Sequence, residues 1–108
     1  MLKNNEYIVV FVTAGSTKEA DFLRKKLMES KLAACVAKTR VNSMFCWKGK
    51  VETENEVLLI IKTKYALYEK LEALIKENHS YEVPEIIALP IITGSKPYLD
   101  WIDENTKK

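Results

Sequence analysis

The stretch that decides the fold runs from Leu32 to Lys62, LAACVAKTRVNSMFCWKGKVETENEVLLIIK. Its first half sets Ala33, Cys35, Ala37 and Thr39 on one side and Ala34, Val36 and Lys38 on the other, then continues through Val41, Met44 and Phe45 with few helix signals. That alternation is a strand's. We expect one long strand over Leu32–Trp47, with Asn42 as the place where it would bend. Lys48-Gly49 is a turn in which the glycine supplies a positive φ without steric cost. Val51 to Lys62 runs back as the partner and ends in the apolar Val57-Leu-Leu-Ile-Ile61. The middle of the chain is therefore a long hairpin.

On the N-terminal side of the hairpin, Tyr7 to Thr13 (YIVVFVT) is apolar at consecutive positions, as in a strand covered on both faces. Ser16-Thr-Lys-Glu19 has the spacing of a capping box, in which the Ser16 hydroxyl accepts the Glu19 N–H and Glu19 reaches back to the cap. A helix follows to about Ser30, with Ala20, Leu23 and Leu27 on one stripe and Lys18, Asp21, Arg24 and Lys25 on other faces. On the C-terminal side, Thr63 reads as the N-cap of a second helix in which Leu67, Leu71, Leu74 and Ile75 recur at helical spacing, ending near Asn78. Pro84 to Ile92 (PEIIALPII) is a further strand. Pro90 cannot donate to a ladder, so that part should be an edge or a bulge. Gly94 and Ser95 open a short terminal helix that tolerates Pro97 in its first turn and offers Tyr98, Leu99 and Ile102 for packing.

The order strand, helix, strand, strand, helix, strand predicts an α+β, ferredoxin-like βαββαβ sandwich with a long central hairpin and an extra C-terminal helix. No repeat or Gly/Ser/Pro-rich linker interrupts residues 1–108, so they read as a single domain. Helices cover one face of such a sheet, yet two of its strands are apolar on both faces. Self-association, with the hairpin arms packed on neighbouring sheets, is the simplest cover for the other face.

Composition excludes more than it identifies. With 47% apolar residues in 108, the chain can bury one real core. Seventeen basic and 15 acidic side chains, interleaved, give a net charge of only +2, too little to argue for nucleic acid or membrane as partner. Neither central strand carries the K/R-G-F/Y pattern of an RNA-reading sheet. The first residues, Met1 to Glu6, are polar, and no apolar run approaches the ~18 residues that span a bilayer. Cys35 and Cys46 lack any metal-finger or disulfide-framework spacing, so a reducing, cytoplasmic setting is expected.

Three segments resemble the CutA family of divalent-cation tolerance proteins: Leu32-Ala-Ala-Cys-Val36; Trp47-Lys-Gly-Lys50 with Glu56 and Ile61-Lys-Thr63; and His79-Ser-Tyr-Glu-Val-Pro-Glu-Ile-Ile87. Leu89-Pro-Ile91, Gly94 and Tyr98-Leu-Asp-Trp-Ile102 extend the likeness over Tyr7 to Ile102. The resemblance implies a homotrimer whose hairpin arms embrace neighbours, implicated in the response to copper and other divalent metal ions. It would act by binding a metal or an unknown protein partner and not as an enzyme. Ser80 stands where the family usually has proline, and Cys46 where an aromatic commonly precedes the tryptophan. Copper-binding bacterial members use a cysteine late in the first strand and two successive histidines. The matching positions here are Val12, Asn78 and His79, so His79 alone is retained as a metal candidate.

His79 has two readings: a positive cap at a helix C-terminus, or a ligand lining a cleft between subunits together with Tyr81, Glu82 and Glu85. Lys62, at the end of an apolar strand, is either a cation facing that cleft or a snorkelling end residue. Cys35 reads as a small core hydrophobe and Cys46 as the more reactive thiol. Trp47 reads as the anchor of the hairpin tip in a neighbouring subunit. A second class of function is a regulatory trimer resembling the nitrogen-signalling PII proteins, binding a small effector at subunit clefts.

Overall fold

Tyr7–Ala14 (β1) is an inner strand of a four-stranded antiparallel sheet, flanked by Lys50–Lys64 (β3) and Ile86–Pro90 (β4). The fourth strand, Cys35–Trp47 (β2), pairs with β3, which gives the order β2-β3-β1-β4. Helices Thr17–Glu29 (α1) and Tyr68–Asn78 (α2) cover one face, and Lys96–Glu104 (α3) follows the last strand. A computed structural model describes residues 6–108, so Met1 to Asn5 of the polar leader lie outside the described residues.

The core sits between the sheet and the two long helices. Ile8, Val10 and Val12 of β1 and Leu59 and Ile61 of β3 meet Ala20, Leu23 and Leu27 of α1 and Leu71 and Ile75 of α2, all fully buried. These residues alternate along each strand and recur at helical spacing along each helix, which is why the sequence segregates into two layers. Each fully buried Val, Leu or Ile side chain among them contributes about 1.5–3 kcal/mol of transfer free energy.

Cα partners across an antiparallel ladder share a face, so the register identifies what the helices leave bare. Cys35, Lys62, Val9 and Leu89 form one row, and Ala37, Ile60, Phe11 and Ile87 the next. Ile87 and Leu89 are exposed; the rest are half-buried. The expected apolar second face is therefore present and uncovered in the protomer.

Seven pairs of the β2–β3 ladder, from Val41 opposite Glu56 to Trp47 opposite Lys50, lie beyond the last β1 pair, Ala14 with Val57. They form a free two-stranded arm about 23 Å long at ~3.3 Å per residue. Lys48 and Gly49 close it with φ of 50° and 80°. Positive φ at both central residues is the signature of the type I′ hairpin turn, whose twist matches the strands. The ladder runs unbroken through Asn42, which faces Asn55 and donates to its side-chain oxygen at 2.9 Å. No bulge interrupts the arm there.

Several boundaries differ from expectation. Thr63 is not a helix cap: β3 continues to Lys64, a 3-10 turn spans Tyr65–Leu67, and α2 begins at Tyr68. The Thr63 hydroxyl is buried and donates to the Leu32 carbonyl at 2.7 Å, a long-range bond that outweighs the local capping preference. The strand expected from Leu32 starts at Cys35, and that expected over Pro84–Ile92 is confined to Ile86–Pro90. Pro90 does lie on an edge strand. Ser95 precedes α3 with extended backbone, and Pro97 occupies the first turn, as expected.

Candidate functional site

The capping box at the start of α1 holds more than the helix. Ser16 Oγ accepts the Glu19 N–H at 3.1 Å. Glu19 does not return to the cap residue; Oε1 accepts the Gly15 N–H at 3.1 Å and Oε2 the Ser80 N–H at 2.7 Å. One carboxylate thus ties the helix start to the loop after α2, 61 residues along the chain. Burial pushes this carboxyl up, but the hydrogen bonds from Gly15 and Ser80 prevail and hold it below the usual range.

His79 is the C-cap residue of α2, and its ring is fully buried. Nε2 lies 2.7 Å from the Thr13 carbonyl oxygen, which can only accept, and Nδ1 accepts the Tyr81 N–H at 3.0 Å. The bonding pattern therefore fixes the neutral tautomer with its proton on Nε2. Glu19 Oε2 stands 3.8 Å from Nδ1. The imidazole pins the loop to the end of β1, and both its nitrogens are used in doing so.

Tyr81 completes the cluster. Its ring lies 4.8 Å from that of His79, and its hydroxyl donates to Glu56 Oε2 at 2.6 Å. Burial first, and the Glu56 carboxylate second, push the phenol far above its ordinary range. The Gly15 α-carbon sits against this ring: a Cβ there would come within 3.3 Å of Tyr81 Cε1 and of its oxygen. Glu56, only 7% exposed, stands at the root of the arm. Beside it opens a groove of about 560 Å³ lined by Ser16, Thr17, Arg40, Asn42, Asn55 and Glu56.

The structure brings together two of the residues singled out in the sequence, His79 and Tyr81. Glu82 and Glu85 are exposed on the loop leading to β4. Lys62 is elsewhere, half-buried in the row of Val9, Cys35 and Leu89 on the bare face. Trp47 stands at the arm tip, partly exposed, with the Lys48 ammonium 5.6 Å from its ring centre. Both cysteines are free, Cys35 half-buried and Cys46 exposed. Glu19 and Glu56 were not read as site residues. The capping box marked the first; the second shares strand parity with Glu52 and Glu54 as well as with Leu58 and Ile60, and only its burial sets it apart.

Among the described residues no group of three or more His, Cys, Asp or Glu side chains is arranged to hold a metal ion. Together with the double use of His79, this means that the donors of one protomer do not fit a resident metal centre.

Comparison with known proteins agrees with this architecture. Residues 8–105 match the family model described as CutA1 divalent ion tolerance protein. The chloroplastic CutA protein of Arabidopsis thaliana is 44% identical over 101 residues, covering 93% of this chain; the chain spans 56% of that relative's length. The crystal structure of CutA1 from Oryza sativa superposes with a TM-score of 0.92 at 42% identity, covering 95% of each chain. That of the periplasmic divalent cation tolerance protein CutA from Archaeoglobus fulgidus gives 0.91 at 40%, covering 94% of this chain and 99% of the other.

Proposed function

The chain belongs to the CutA1 divalent ion tolerance family, and on that premise we propose that it works as a homotrimer that binds a partner or ligand at its subunit clefts and does not catalyse a reaction. The observation that carries this reading is the bare sheet face. Val9, Phe11, Leu58, Ile60, Ile87 and Leu89 form a contiguous apolar surface on the side the helices leave open. A free-standing two-stranded arm is marginal in water, and here it carries Phe45, Trp47 and Val51 partly or largely exposed. Three copies, each laying its arm along a neighbour's sheet, cover both liabilities at once.

The cleft residues in this reading are Tyr81, Glu82 and Glu85 from one subunit and Lys62 from another, with Trp47 as the anchor of the arm. A role in binding is favoured over catalysis because the polar groups of the cluster serve one another and the backbone: His79 holds Thr13 and Tyr81, Glu19 holds Gly15 and Ser80, and Tyr81 holds Glu56. The link to copper and other divalent ions then runs through donors gathered from more than one subunit or through a partner.

Size-exclusion chromatography with light scattering is expected to give three times the subunit mass, and a monomer would sink the proposal. Calorimetric titration with copper and zinc compares wild type with His79→Ala. The heats should not depend on His79, and a copper heat abolished in the variant would restore the imidazole as a ligand. The compartment proposed is the cytoplasm, on the two free thiols. The Arabidopsis and Archaeoglobus relatives are named for the chloroplast and the periplasm, so cell fractionation decides the point.

A further inference from the structure

Among the described residues, Glu56 and Lys62, which bound the apolar stretch of the bare face, lack counter-charges. Glu56 is 7% exposed; its carboxylate accepts one bond from the neutral Tyr81 hydroxyl, and among the described residues no Lys, Arg or His nitrogen lies within 4.0 Å of it. Lys62 is half-buried between Cys35 and Val9, and no carboxylate of the described residues lies within 4.0 Å of its ammonium. Buried charges are paired as a rule, because a lone ion taken out of water loses its hydration with nothing in return. The other acids on this face, Glu52 and Glu54, belong to the free arm beyond the β1 ladder, and neither is buried, whereas Glu56 is buried and Lys62 is flanked by Cys35 and Val9 within the sheet.

Strand geometry forbids the two charges from meeting within one chain. Both belong to β3, on the same face, with Leu58 and Ile60 between them. Six residues at ~3.3 Å each separate them by about 20 Å. A face whose apolar stretch is bounded by Glu56 at one end and Lys62 at the other, neither paired among the described residues, is complementary to a second copy of itself. Under rotational symmetry each copy can give its lysine to one neighbour and its glutamate to the other, and the ring closes with no charge left over.

We infer that in the assembled protein Lys62 of one subunit pairs with Glu56 of the next, at the root of the arm. The inference rests on the trimer reading and adds to it the contact that fixes how far each arm slides along its neighbour. An apolar surface alone specifies no register. One ion pair at the interface does, since a shift of one strand repeat leaves the buried Glu56 and the half-buried Lys62 each without a partner.

The test is a double-mutant cycle with Lys62→Met, Glu56→Gln and both together; the glutamine keeps the shape and can still accept the Tyr81 hydroxyl. Subunit dissociation on dilution is followed by light scattering, with circular dichroism as the check of folding. Each single change is expected to raise the half-dissociation concentration about tenfold or more, and the double variant is expected to dissociate no more readily than the weaker single one. The reversed pair, Lys62→Glu with Glu56→Lys in one chain, should recover the trimer that either reversal alone loses. Where a reversed chain does not fold, the neutral cycle decides. Additive effects in that cycle, or a single variant as stable as wild type, overturn the pairing while leaving the trimer in place. A monomeric wild type overturns the trimer and the pairing with it.

Discussion

Replacing His79 with alanine separates a structural imidazole from a metal ligand. In the folded chain the ring donates to the Thr13 carbonyl at 2.7 Å and accepts the Tyr81 N–H at 3.0 Å, and the side chain has no solvent exposure. Alanine leaves one carbonyl and one amide without partners, and each such group costs about 1–3 kcal/mol when water cannot replace the bond. Tyr81 lies at the partly accessible edge of the loop, so water recovers part of its share, and the expected loss is about 2–4 kcal/mol. Urea denaturation at neutral pH and fixed subunit concentration measures it, because assembly makes the midpoint depend on concentration. A loss below about 1 kcal/mol would refute the reasoning, since surface substitutions without a special role fall near that range. It would mean that the ring is not what holds the loop.

Three other outcomes follow from the same geometry. The Glu19 carboxyl is lowered from 4.5 by its hydrogen bonds, so its contribution to stability is complete above that value and is lost as pH falls through the lower folded value. Glu19→Gln should lessen the acid sensitivity of the urea midpoint below pH 4.5, and an unchanged acid profile would count against the clamp. Burial, with the Glu72 carboxylate, raises the Tyr68 phenol from 10.0 to about 12. The stability this represents is complete below pH 10 and is lost as pH rises toward 12, so the alkaline loss should shrink in Tyr68→Phe. Ultraviolet titration that shows all five phenols ionising together near pH 10 in the folded protein would contradict it. Gly49 has φ of 80° and open space where a Cβ would stand, so Gly49→Ala should lower stability by about 1 kcal/mol through backbone strain alone, whereas Gly49→Asn should be nearly neutral in the same denaturation series.

The secondary structure was legible wherever apolar periodicity and local chemistry agreed. The stripe of Ala20, Leu23 and Leu27, the Ser16 cap and the Lys48-Gly49 turn are all decided by near neighbours in sequence. Thr63 misled because its hydroxyl is claimed by Leu32, 31 residues away, and no capping rule contains that contact. The site was legible only in pieces for the same reason. His79 could be singled out, but its engagement with Thr13 spans 66 residues, and the Tyr81–Glu56 bond spans 25. Glu56 becomes conspicuous only once the register shows which face of β3 it shares with Lys62. The expectation of self-association came from strands apolar on both faces as well as from the family likeness, and the register shows which residues make up the bare face.

The placement of β1 between β3 and β4 also dictates what happens while the protein is being made. β1 leaves the ribosome first, yet its partners are Val57–Lys64 and Ile86–Pro90. At ~5–20 residues per second the wait for the last of them is about 4–16 s. During that time an apolar strand has both edges open, while the Cys35–Lys64 hairpin can close on its own turn as soon as it emerges. The most buried strand of the finished sheet is thus the one whose edges stay open longest in the nascent chain, and slower translation between Ala14 and Pro90 prolongs that exposure.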